Sequence, residues 1–129
     1  MDFYINRGST LPHLKVKIFT GNEIDFESYN KLIKTAKVTF SMKNLSNNVY
    51  KIAGKPCDII AKHVGVDSFS DIYEYYIVYE WSSKDTNTTG SYIGEFNITF
   101  KYGTTNCTET LLVPIKERLY VFVIDSLTK

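Results

Sequence analysis

Apolar side chains fall on every second position over long parts of this chain. From Gly90 onward, Tyr92, Phe96, Ile98 and Phe100 share one row with Gly94, while Ser91, Glu95, Asn97, Thr99 and Lys101 fill the other. Val38, Phe40 and Met42 form a second such row between lysines and hydroxyls. A period of two is that of a strand with one buried face. The same reading predicts strands over residues 3–7, 14–19, 36–43, 57–63, 73–81, 91–102, 109–113 and 119–124. Gly103, in Tyr102-Gly103-Thr104-Thr105, supplies the positive φ of a hairpin turn, which sets the 96–100 strand antiparallel to the one around Leu111 and Val113. Pro114 closes that strand, because it cannot donate to a ladder. Residues 26–34, with Phe26, Tyr29 and Ile33 at helical spacing, predict at most a turn or two of helix.

Short strands with polar or Gly-containing connections make the chain all-β and favour a sandwich over a barrel, a choice the pattern leaves open. The matching rows predict a shared core of Val16, Ile18, Val38, Phe40, Ile77, Tyr79, Trp81, Tyr92, Phe96, Ile98 and Phe100. Residues 119–124 lack polar alternation altogether. That strand is expected to be covered on both faces, by the core on one side and by something else on the other.

The chain's 129 residues suit one domain over 1–129, with short terminal arms at 1–8 and 116–129. Fifteen basic and fourteen acidic residues leave a formal net charge of +1, which argues against a nucleic-acid binder. No apolar run reaches a membrane-spanning or secretory length, so no membrane association is expected and synthesis is placed in a host cytoplasm. In that compartment Cys57 and Cys107 are expected as free thiols, and the sequons at Asn44, Asn87, Asn97 and Asn106 as consequences of an Asn- and Thr-rich composition. Ten Tyr, eight Phe and one Trp fit a β protein that has partners.

Candidate chemistry is sparse. His13 and His63 lack a carboxylate or cysteine at a metal-ligand spacing. The acids Asp67, Asp71, Glu74, Glu80 and Asp85 do not form a facing pair of the kind that hydrolases use, and the loop around Phe69 offers too few oxygens for calcium. No enzyme activity, cofactor or metal is expected. Structural roles suit the rest: Asp85 as acceptor of amides in its own loop, Tyr92 in a tyrosine-corner hydrogen bond, and Gly94 at a point of close packing in its strand.

Taken in order, Arg7-Gly8-Ser9-Thr10-Leu11-Pro12, the strand Leu14-Lys15-Val16-Lys17-Ile18-Phe19, the turn Glu23-Ile24-Asp25-Phe26, the Val38-Thr39-Phe40-Ser41-Met42 strand and the Asp85 to Phe100 corner resemble the N-terminal domain of phage baseplate upper proteins. The resemblance covers about Ile5 to Thr110 and implies an immunoglobulin-like antiparallel β-sandwich from a virion. It implies a tail position. The lack of a helical stalk after Ile124 adds the capsid surface, where such a module would serve as decoration.

The expected function is therefore non-enzymatic: an adaptor or decoration module, present in multiple copies per particle, that binds other virion proteins. Its expected contact residues are Phe3, Tyr4, Tyr76, Val78, Tyr120 and Phe122, because the terminal segments and the outward register of residues 73–81 carry surplus apolar side chains. The alternative is a carbohydrate-binding sandwich, for which the loops offer mainly Phe69 and Tyr50 as stacking surfaces.

Overall fold

The alternation appears as eight strands in a computed structural model that describes residues 1–18, 36–67, 70–102, 107–114 and 117–125. They are β1 (Asp2–Asn6), β2 (Leu14–Lys17), β3 (Lys37–Asn44), β4 (Tyr50–Asp67), β5 (Ser70–Tyr79), β6 (Gly90–Tyr102), β7 (Cys107–Val113) and β8 (Leu119–Ile124). Every regular element among the described residues is a strand, so the chain is all-β. The helical turn expected over 26–34 and the Gly103 turn lie outside the described residues, but the antiparallel pairing that turn implies is present. Phe96 faces Val113 and Ile98 faces Leu111.

The strands follow one path, β1-β8-β6-β3-β4-β5-β2, with β7 beside β6, and the mixed sheet is nearly closed into a barrel. Two long strands make the curl. β4 pairs with β3 through Cys57 and with β5 from Asp58 onward, so it passes from one part of the sheet to the other. β6 keeps β3 on one side and divides its other edge between β8, along Gly90–Gly94, and β7, along Phe96–Tyr102.

The curl turns one row of every strand inward. Ile5, Leu14, Val16, Val38, Phe40, Met42, Ile52, Ile77, Tyr79, Tyr92, Phe96, Ile98, Val113, Leu119, Val121 and Val123 join Ile18 and Trp81 in a single buried cluster. Every expected core residue whose side chain is described belongs to it; the Phe100 side chain lies outside the described residues. Phe40 is the hub. Its ring lies 4.8 Å from those of Tyr79 and Phe96 and meets Trp81 edge-on at 5.9 Å, geometries that add to the burial of large apolar surfaces. Gly94 makes room for it. A Cβ there would come within 2.9 Å of Phe40 Cε1.

β4 begins at Tyr50, seven residues before the strand expected from Cys57. Between Phe40 and Met42 the partner strand gains a residue, going from Lys55 to Ile52, and Gly54 sits in this bulge at φ +63° with its N–H donating to Ser41 Oγ at 3.0 Å. A glycine in the left-handed region takes that place without a Cβ clash.

One pairing corrects the all-antiparallel expectation: β1 and β8 run parallel, with Phe3 opposite Val121 and Ile5 opposite Val123. Hairpin turns force neighbours antiparallel. These two strands are separated by most of the chain, so no turn fixes their direction. The terminal segments expected as arms thus carry strands of the sheet, and Ile5 is part of the core.

Candidate binding surface

β1 is held at both ends. Tyr120 N donates to Met1 O and Arg7 N to Ile124 O, both at 2.8 Å. The amino terminus approaches Glu117, and Arg7 pairs with Asp125 at 3.0 Å. In this frame β8 buries Leu119, Val121 and Val123 and turns Tyr120, Phe122 and Ile124 the other way. The cover expected for that second face is supplied only in part. Tyr4 stacks on Phe122 at 4.9 Å, and Phe122 lies 6.5 Å from Tyr120. Tyr4 itself is 58% exposed and Ile124 46%. An aromatic row therefore crosses two strands on the outside of the sheet, beside an edge strand that has no further strand partner among the described residues.

The six expected contact residues divide. Tyr4, Tyr120 and Phe122 form this row. Phe3 faces inward, stacked on Trp81 at 5.8 Å and packed against the core. Tyr76 and Val78 lie on the outer face of the β2–β5 pair. Val78 stays out of the core cluster as expected, yet is only 8% exposed. Lys15 and Asp58 flank it in register on β2 and β4, and a lysine covers a small neighbour with its stem. Tyr76 is engaged: its hydroxyl donates to Glu74 Oε2 at 2.6 Å, Lys17 Nζ donates to Glu74 Oε1 at 3.0 Å, and Lys15 Nζ sits 4.4 Å above its ring. The Tyr76 and Lys17 hydrogen bonds hold the Glu74 carboxyl below its usual value.

The loop between β5 and β6 forms a closed polar corner. Asp85, almost fully buried, accepts from Tyr79 Oη at 2.6 Å, from Lys55 Nζ at 2.8 Å and from the Ser82 amide at 2.9 Å. Burial alone would raise its carboxyl pKa; the hydrogen bonds from Lys55, Tyr79 and Ser82 outweigh that and hold it low. Burial, and then donation to Asp85, pushes the Tyr79 hydroxyl up. Thr86 fastens the same loop to the β1–β2 connection, its Oγ1 donating to Ser9 O at 2.9 Å and its carbonyl accepting from Gly8 N at 2.8 Å. Tyr92 Oη donates to Thr88 O at 2.8 Å, the expected tyrosine corner. These groups are satisfied among themselves, which suits support of the fold.

Cys57 carries a free thiol in a half-buried site, and burial, with Asp58 adding to it, pushes its pKa up to about 12, so its reactive thiolate is scarce near neutrality. Among the described residues no three His, Cys, Asp or Glu side chains gather where they could hold a metal ion, and no helix is long and apolar enough to cross a membrane. Ile124 was missed as a member of the outer row, although the period of two that sets Tyr120 and Phe122 on that face includes it. Compared with family models, with curated proteins and with solved structures, the chain matches none.

Proposed function

We propose that this protein is a non-enzymatic structural component of a phage virion, an immunoglobulin-like sandwich module that binds other virion proteins at the tail or on the capsid surface. The observation that supports the reading best is the outward row of Tyr4, Phe122 and Tyr120 across the β1–β8 pair. Partly covered aromatic side chains on a sheet face are the kind that protein interfaces bury. The outer edge of β1, without a strand partner among the described residues, is one that a partner's strand could meet. The tyrosine corner at Tyr92 and the two-part path through β4 agree with the sandwich.

Quantitative mass spectrometry of purified particles of the encoding phage tests the assignment. The expected result is the chain in multiple copies per particle, at a fixed ratio to the major structural proteins and retained through gradient purification. Its loss from gradient-purified particles would remove the virion reading.

A further inference from the structure

A second feature of the same sheet is polar. β7 and β8 share one edge of β6 but leave Glu95 between them, since Gly94 pairs with Leu119 and Phe96 with Val113. Over this break lies an open groove of about 670 Å³ whose lining includes Ser41, Lys43, Tyr50, Glu95, Asn97 and Arg118. Tyr50 is 60% exposed at its rim, with Lys43 Nζ 5.7 Å from its ring centroid. Neither the Glu95 carboxylate nor the Arg118 guanidinium has an ion pair among the described residues.

We propose that this groove binds a short neutral oligosaccharide. A carboxylate accepts only, whereas guanidinium and ammonium groups donate only; an amide does both. A ligand that satisfies all of them in one small space needs groups that donate and accept at adjacent positions, as the vicinal hydroxyls of a sugar do. Lys43 and Arg118 stand against Glu95 in the lining, an excess of one positive charge, so a neutral ligand rich in hydroxyls suits it better than a strongly charged one. Tyr50 supplies the flat apolar surface on which the C–H face of a sugar ring packs, and the groove's size lies in the range of small-ligand sites. This site does not depend on the virion reading, and the aromatic row lies outside its lining.

The test is titration of the isotope-labelled chain with maltohexaose, cellohexaose, chitohexaose and sialyllactose, followed by backbone amide NMR. One of the neutral hexaoses is expected to shift the amides of Lys43, Glu95 and Asn97 with a Kd of about 1 mM or tighter. Tyr50→Ala and Glu95→Gln, both at exposed positions, should each weaken that binding at least about tenfold while circular dichroism stays that of the wild type. Glu95→Gln should leave attachment to particles unchanged, which separates this site from the aromatic row. Absence of shifts with all four sugars at about 10 mM, shifts confined to other surfaces, a preference for sialyllactose, or unchanged affinity in both variants would overturn the proposal.

Discussion

The two faces of β8 have nearly the same hydrophobicity and opposite fates. Leu119, Val121 and Val123 enter the core, whereas Tyr120, Phe122 and Ile124 face outward, with Tyr4 of β1 stacked on Phe122. Folding has used one face completely. The second stays apolar and partly exposed, and the proposed contact surface rests on that surplus. The Asp85 corner shows the contrary condition, with polar groups sealed in and matched to one another.

The largest effects are expected on the inner side of this comparison. Phe40→Ala or Phe96→Ala should cost about 3–5 kcal/mol in denaturant unfolding, since both side chains are fully buried. A loss below about 1 kcal/mol would mean that the core is elsewhere. Within β1, Ile5→Ala should cost about 2–4 kcal/mol, against less than about 1 kcal/mol for Tyr4→Ala. Equal losses would erase the distinction between the faces. Deleting residues 2–5 removes Ile5 and most of the β1 ladder, so a stably folded truncation is not expected.

Gly94→Ala should cost about 1–3 kcal/mol, because the new methyl meets Phe40 and Leu119 in a packed core. The Asp85 corner predicts a smaller effect that varies with pH. Its carboxyl pKa is lower folded than unfolded, so its contribution is complete above the ordinary carboxylate value of about 4 and is lost as pH falls through the folded value. Unfolding measured from neutral pH downward should show this loss in the wild type and a flatter profile in Asp85→Asn. Identical profiles would remove the carboxylate from the account.

The strands were legible because each buries one row of side chains, and a row of alternate apolar residues survives errors of one or two positions at its ends. The start of β4 was not legible. Ile52 is its one buried side chain before Cys57, and Gly54 and Pro56 read as breakers although one fits a bulge and the other lies in the ladder opposite Thr39. The parallel union of β1 with β8 was hidden for another reason: it joins the two ends of the described chain, and no local pattern records a partner so distant. The same limit applies to the surface. Surplus apolar character singled out Tyr4, Tyr120 and Phe122, which lie on the outer face, but equally Phe3, which faces inward, and Val78, which is covered by neighbours that only the register reveals. Glu95 and Arg118 carried no signal, because charged residues on a strand's outer row are ordinary.

The outer row is tested most directly by cosedimentation with particles lacking the native protein, using wild type and a Tyr4→Glu, Phe122→Lys double variant whose fold is verified by thermal unfolding. The wild type should pellet with the particles and saturate at a fixed copy number, and the folded double variant should bind at least about tenfold more weakly. A double variant that binds as tightly as the wild type would contradict the assignment of this face as the contact surface.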